Sequence, residues 1–287
     1  MSPLVILLIV AAGLAHATWN VVVKRSAVSG APFVWLTAVG AAVVVIPVGV
    51  VVAVVDPPSW PSLVIAAAVS GVLQSAYFLT LQAGYRAGDV SVVYPLARGT
   101  GPLLAVLFAI ALFGERPHAL ALVGAGAVVV GVIVIGLAGG RSHWRAARSG
   151  VLWGLMIGVV IAAYTLWDAR AVTALALSPI LLNAGTSTMQ AALLAPVAIR
   201  RWTAVRTVWR EHWRDVVVVS VLSPLSYILV LFALQLAPVS IVAPAREISV
   251  VFVGIAGWLL FKEPHPLARL SGAVVVLGGI VLLAAAR

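Results

Sequence analysis

The chain of 287 residues contains no cysteine and very little charge. Without thiols there can be no disulfide, no Cys-ligated zinc, no iron–sulfur cluster and no thiol nucleophile. Charged residues make up 9% of the sequence against about 25% in soluble domains, while 63% is hydrophobic against about 45–50%. A mean hydropathy of +1.17 leaves more apolar surface than one water-soluble core can bury. The sequence therefore reads as an all-α integral membrane protein. Only 8 residues are acidic, and the net charge is +10. The basic residues sit in short loops between apolar runs, where they act as topology signals and do not make a nucleic-acid surface. Enzyme signatures are missing as well: there is no His-Glu-x-x-His, no Gly-x-Ser-x-Gly and no phosphate-binding Walker loop. No cofactor and no metal are expected.

What is present is a series of long apolar runs. A spanning helix needs about 20 mostly apolar residues. Runs of that kind lie at 3–23, 31–55, 62–84, 90–113, 118–138, 151–172, 177–199, 216–236, 239–261 and 265–286. Ten transmembrane helices are expected. Ala15-His16-Ala17 resembles a signal-peptidase site, but no Lys or Arg precedes the apolar run, which continues to Val23. It reads as a retained first helix.

An internal repeat is the most informative feature. Leu112-Phe113-Gly114-Glu115 matches Leu260-Phe261-Lys262-Glu263 at a shift of 148, as do Arg98 and Arg246, Gly124 and Gly272, and Gly131 and Gly279. The same shift relates His16, Trp19 and Asn20 to Tyr164, Trp167 and Asp168. Ser91-Val92-Val93-Tyr94-Pro95 matches Ser240-Ile241-Val242-Ala243-Pro244 with a one-residue slip. Each half then has five helices, residues 1–138 and 151–287, joined by a basic linker at 139–150. An odd number sends the second half through the membrane in the opposite sense. Two inverted five-helix repeats are a transporter architecture.

Loop charge orients the chain. Thirteen Lys and Arg residues fall on the side of the odd-numbered loops and three on the other, with Arg98 and Arg246 inside spans. That bias puts both termini outside, and the linker and the loop 200–215 in the cytoplasm. The latter loop interleaves Trp202, Trp209 and Trp213 with arginines. It reads either as a short interfacial helix or as a site for anionic lipid.

Polar residues inside spans are costly and so informative, about 2.5–3.5 kcal/mol for a charge at mid-membrane. His16, Trp19 and Asn20 share a face of the first helix, and Tyr164, Trp167 and Asp168 one of the sixth. The third helix carries Ser70, Gln74 and Tyr77. The fourth has Tyr94 and Arg98, the eighth Ser223, Ser226 and Tyr227, and the ninth Arg246 and Glu247. Asn183, Thr186, Ser187 and Gln190 form a stripe on the seventh. The stripes can be interhelical glue or cavity lining, and the arginines buried ion pairs or cavity cations. His16 can be a satisfied polar group or a proton carrier. Pro95 and Pro244 each precede a membrane arginine and free a carbonyl four residues upstream, which points to a binding site near mid-membrane. Pro224 predicts a kink in the eighth helix. Gly150, Gly154 and Gly158 predict a close helix contact. Glu115 and Glu263 are expected to satisfy the N-termini of the fifth and tenth helices.

The motifs Leu112-Phe113-Gly114-Glu115 and Leu260-Phe261-Lys262-Glu263, placed before the last helix of each half, together with the stretches 13–20 and 88–99, resemble the EamA group of the drug/metabolite transporter superfamily. The resemblance spans essentially the whole chain. It implies secondary transport of small metabolites or drugs through a central cavity, often as export, in a bacterial-type cytoplasmic (inner) membrane. Many members carry their basic charge between the second and third helices and keep their termini in the cytoplasm. Here the loop 56–61 has no Lys or Arg, and the charge count keeps the termini outside.

The resulting expectation is a secondary active transporter, not an enzyme, for a small polar, anionic or zwitterionic solute. A flippase for a lipid-linked head group is the first alternative, and a membrane-embedded enzyme using His16 and Asp168 the second. Its partners would be the solute and the bilayer. A monomer or weak homodimer suffices, because fusion of two halves already supplies the pseudo-symmetry. Substrate contacts are expected from His16, Trp19, Asn20, Gln74, Tyr77, Tyr94, Arg98, Tyr164, Trp167, Asn183, Ser187, Gln190 and Tyr227. Gating or proton coupling is expected from Asp168, Arg246 and Glu247. Arg98 lies about 13 Å into the fourth helix at 1.5 Å per residue. That depth predicts an inner layer, in which Arg98 meets Asn20 or His16, and an outer layer, in which Arg246 meets Asp168. Arg98 is then the cation left for an anionic substrate.

Overall fold

The computed structural model describes residues 1–26, 28, 30–88, 90–137, 144–261 and 266–286. Helices account for nearly all of them, and no strand occurs among the described residues. The order is α1 (Pro3–Ser26), α2 (Ala31–Val55), α3 (Trp60–Ala87), α4 (Val90–Phe113), α5 (Ala119–Leu137), α6 (Trp144–Thr173), α7 (Pro179–Arg200), α8 (Trp202–Leu236), α9 (Val239–Ala245), α10 (Ile248–Phe261) and α11 (Pro266–Ala285). Hydrocarbon leaves a peptide group no partner but its own helix, so even Val-rich runs such as 43–55 are helical. Prolines at the first helical turns of α2, α3 and α7 start those helices where the missing N–H costs nothing. Eight of the described helical segments are long and apolar enough to cross a membrane, α9 with α10 counted as one. The 19-residue α5 and 20-residue α11 supply two shorter apolar helices. The protein is an all-α, multi-pass membrane protein.

Two breaks depart from the expected pattern. The 35-residue α8 changes direction at His212 (φ −129°, ψ 23°), while Pro224 lies within continuous helix. The break in helical backbone angles thus lies at His212 and not at Pro224. It separates an interfacial segment at 202–211, in which Trp202 and Trp209 are exposed, from the span that follows. The ninth span splits into α9 and α10. Pro244 cannot donate to Ser240, and the chain tightens to i→i−3 bonds: Glu247 N–H to Pro244 O at 3.0 Å and Val250 N–H to Glu247 O at 2.9 Å. Its expected counterpart around Pro95 stays within one continuous α4.

The most extensive helix contacts run between the first five spans and the second five. The helix α1 packs on α8 and α10, α2 on α7 and α8, α3 on α6 and α7, α4 on α6, and α5 on α11. Small residues allow the closest approaches. A Cβ on Gly154 of α6 would lie 2.6 Å from Leu96 Cβ of α4, and one on Gly158 would collide with Thr100, so the predicted close contact is α6 on α4. On α5, a Cβ at Gly124 would lie 2.7 Å from Gly279 O, and one at Gly131 2.7 Å from Gly272 O of α11. Rising positions on α5 meet falling positions on α11, so these two helices are antiparallel.

Glu115 does not cap α5 as expected. Its carboxylate accepts from Val239 N–H (2.8 Å) and Ser240 N–H (2.9 Å), tying the loop after α4 to the first turn of α9. The turn at Gly114 (φ +68°), which needs a residue free to enter the left-handed region, directs Glu115 away from its own helix. Lys262, Glu263 and residues 139–143 of the linker lie outside the described residues.

Candidate functional site

The polar stripes of α1, α3, α4, α6 and α8 and the α9–α10 break converge at one level of the bundle. Arg98 of α4 is the hub. Its Nη2 lies 2.6 Å from His16 Nε2 of α1, and its Nη1 donates to Glu247 Oε1 and Oε2 at 3.4 and 3.5 Å. A guanidinium has no acceptor, so His16 Nε2 must accept, and the imidazole proton sits on Nδ1. The guanidinium also lies 5.7 Å from the centroid of the Tyr94 ring on its own helix. Glu247, 1% exposed, is shared: its Oε1 also lies 3.5 Å from Arg246 Nε. The i→i−3 turn after Pro244 places Arg246 and Glu247 side by side, and one carboxylate serves two guanidinia.

Asp168 of α6 is 0% exposed. Its Oδ2 accepts from Tyr227 O–H of α8 (2.5 Å) and from Gln74 Nε2 of α3 (3.3 Å), while Oδ1 has no partner. Gln74 also reaches Ser70 Oγ at 3.3 Å. Three tyrosines bridge the two halves of the cluster. Tyr164 meets Tyr77 edge-on at 5.8 Å and Tyr227 at 6.1 Å, and the Arg246 guanidinium lies 5.8 Å from the Tyr164 centroid. A vestibule of about 550 Å³ opens at the end of the bundle formed by the loops after α4, α6 and α8. Glu115, Arg170, Thr173 and Gln235 line it, and so does Ala169, the neighbour of Asp168. Two guanidinia, two carboxylates and a tyrosine cluster can coordinate a charged or dipolar solute that the hydrocarbon would otherwise exclude.

This architecture fits a known group. A profile of the EamA-like transporter family matches residues 3–137 and 148–285. The chain belongs to the EamA-like transporter family. Among characterised proteins it is 32% identical over 88 residues to the "Probable 4-amino-4-deoxy-L-arabinose-phosphoundecaprenol flippase subunit ArnE" of Pseudomonas fluorescens, a match covering 30% of this chain and 77% of that protein. In fold it is similar to a solved crystal structure of a protein, with a TM-score of 0.76, 19% identity and 98% of each chain covered.

Within this EamA-like transporter, the expected pairings are partly exchanged. Arg98 does contact His16, but Asn20 turns back to donate to His16 O at 2.7 Å. Arg246 does not pair with Asp168: its ion-pair contact is Glu247, and the Asp168 partners are Tyr227 and Gln74. The expected division into an inner and an outer layer is crossed at Glu247. Glu247 from the second half bonds Arg98 from the first, because the α9–α10 break carries Glu247 to the level of Arg98. As a result Arg98, expected to be the cation left over, is the more fully bonded of the two.

Trp19 packs edge-on to His16 at 4.8 Å. Trp167 points away from the cluster and donates to Ala66 O at 3.0 Å. Asn183, Thr186, Ser187 and Gln190 on α7 are buried, yet none hydrogen-bonds a member of the cluster. Ser70 and the vestibule residues Arg170, Thr173 and Gln235 were not among the expected site residues. Ser70 was visible in its stripe with Gln74, whereas nothing in the sequence marks the vestibule, which forms where three separate loops meet.

Proposed function

We propose that the protein is a secondary active transporter of a small polar, anionic or zwitterionic metabolite, working by alternating access between two inverted five-helix halves. The observation that carries the reading is the balanced set Arg98, Arg246, Glu247 and Asp168, brought from α4, α6 and the α9–α10 break to one buried level. Family membership supports transport, and the absence of enzyme motifs supports a site that binds rather than transforms.

Inversion is supported by the glycine contacts. Gly124 and Gly131 correspond to Gly272 and Gly279 in the repeat, yet each packs on the other's counterpart. A two-fold axis in the membrane plane produces that crossed arrangement, whereas parallel repeats would not. The helix contacts also survive exchange of the halves: α1 on α8 corresponds to α6 on α3, and α2 on α8 to α7 on α3. The α9–α10 break supplies a jointed segment carrying two of the four charges, a natural moving part. With the loop charges setting the orientation, both termini and the vestibule face outward from a bacterial-type inner membrane. In that orientation the basic loop 200–215 meets the cytoplasmic leaflet.

Translocation of a lipid-linked head group is the second reading, favoured by the flippase subunit to which the chain is similar. Proteoliposomes test both. Saturable, protein-dependent flux of a labelled water-soluble amino acid supports the first, and leaflet exchange of an amino-lipid without such flux supports the second. Flux equal to protein-free vesicles in both assays would overturn the transport reading.

A further inference from the structure

Among the buried side-chain atoms of the cluster that lack a hydrogen bond, two on oppositely charged groups stand out. Arg246 is 9% exposed and its Nη2 has no partner; Asp168 is 0% exposed and its Oδ1 has none. An unspent donor on a cation and an unspent acceptor on an anion are both expensive inside a bundle. They do not relieve each other: the Asp168 hydrogen bonds come from Tyr227 and Gln74, and the Arg246 ion pair is with Glu247. The Arg246 guanidinium lies over the Tyr164 ring, Tyr164 leans edge-on against Tyr227, and the Tyr227 hydroxyl ends on Asp168 Oδ2. Arg98 offers less: His16 and Glu247 occupy both of its terminal nitrogens, and only Nε is unbonded.

The charge balance narrows the ligand further. Arg98 and Arg246 oppose Glu247 and Asp168, and His16 adds no charge because its Nε2 accepts from Arg98. A ligand of net charge would leave that charge uncompensated at mid-membrane, whereas a dipolar one would not.

Resting on the transport reading above, we propose that the site takes a zwitterion, with a primary ammonium on Asp168 Oδ1 and a carboxylate or phosphate diester on Arg246 Nη2. Tyr164 lies against the Arg246 guanidinium and the Tyr227 hydroxyl against Asp168, so an aromatic side chain adjoins each end. Both unspent atoms are then satisfied and the net charge stays at zero. A free amino acid and an aminated phosphate head group share this chemistry, and experiment separates them.

The test uses the full chain, purified in detergent, with glycine, 4-aminobutyrate and glycerophosphoethanolamine as probes. Butyrate, butylamine and diethyl phosphate serve as singly charged controls. Thermal unfolding and intrinsic tryptophan fluorescence report binding, since Trp19 adjoins His16. At least one zwitterion should raise the unfolding midpoint at concentrations where its controls do nothing. Asp168→Asn should weaken that zwitterion about tenfold or more and bring the matching anion level with it; Arg246→Gln should do the same in favour of the amine. A reversal of preference of this kind is not produced by general loosening of the bundle. If either variant fails to fold, the wild-type comparison still decides. No response to any zwitterion, or equal response to the singly charged controls, overturns the proposal, as do folded variants with unchanged preference. Phosphatidylethanolamine vesicles, probed with an amine reagent that cannot cross the bilayer, separate a lipid head group from the free solute. Zwitterion binding without flux would retain the site and remove the transport reading; flux of singly charged solutes alone would do the reverse.

Discussion

Replacing Glu247 by Gln preserves shape and removes the one charge that two guanidinia share. Its Oε1 lies 3.4 Å from Arg98 Nη1 and 3.5 Å from Arg246 Nε, with Glu247 1% exposed. At an effective dielectric near 20, each contact carries roughly 4–5 kcal/mol of gross attraction, much of it offset by the cost of dehydrating the charges. Breaking one partner of a buried pair leaves the other uncompensated, a measured cost of about 3–5 kcal/mol. Here two cations are left facing each other across the neutral amide, so the upper half of that range is expected. Reversible denaturation in mixed micelles reads the value. The double variant Glu247→Gln with Arg246→Gln restores the balance of one guanidinium against one carboxylate, and should recover at least about 1 kcal/mol relative to the single variant. A Glu247→Gln protein within about 0.5 kcal/mol of wild type would refute the shared-carboxylate account, as would a double variant whose losses simply add.

Three further outcomes follow from the fold. Glu115→Ala removes both carboxylate bonds to the first turn of α9, and should cost about 1–3 kcal/mol in the same denaturation measurement while leaving α5 intact. Gly131→Val puts a side chain where a Cβ alone would be 2.7 Å from Gly272 O, and should destabilise by about 1–3 kcal/mol; a calorimetric midpoint equal to wild type would contradict the α5–α11 contact. Because the chain has no cysteine, single cysteines report cleanly. A membrane-impermeant maleimide applied to intact cells should label position 58 and not position 207, and the opposite pattern would invert the orientation.

Much of the fold was legible because hydrocarbon enforces it. The apolar runs at 31–55 and 90–113 coincide with α2 and α4, since nothing inside those runs offers the backbone an alternative to helix. The ends spread where the flanks are amphipathic. The sixth helix begins at Trp144, seven residues before the apolar run, and α8 absorbs the tryptophan–arginine loop. Polar spacing identified which face of each helix matters, and so brought out His16, Gln74, Arg98, Asp168 and Tyr227. It could not give the rotation of one helix against its neighbours. The α7 stripe, as regular as any, is buried without a bond to the cluster, and Trp167 points to Ala66 O. Inversion of the repeat places Glu247 with Arg246 and Asp168, away from Arg98; the turn after Pro244 interrupts the ninth span, and Glu247 instead contacts Arg98. Glu115 was recognised as a satisfier of helix N–H groups, but not that Gly114 would turn it toward another helix.

The most direct test of the central claim is countertransport in sealed proteoliposomes. Vesicles loaded with an excess of the zwitterion that binds best are diluted into a trace of the same labelled compound, with no ATP and no imposed potential. Alternating access through one central site predicts transient accumulation of label above equilibrium, saturable and lost in Arg246→Gln protein that remains folded. Label that only equilibrates, at the rate of protein-free vesicles or equally fast in the Arg246→Gln protein, would contradict it.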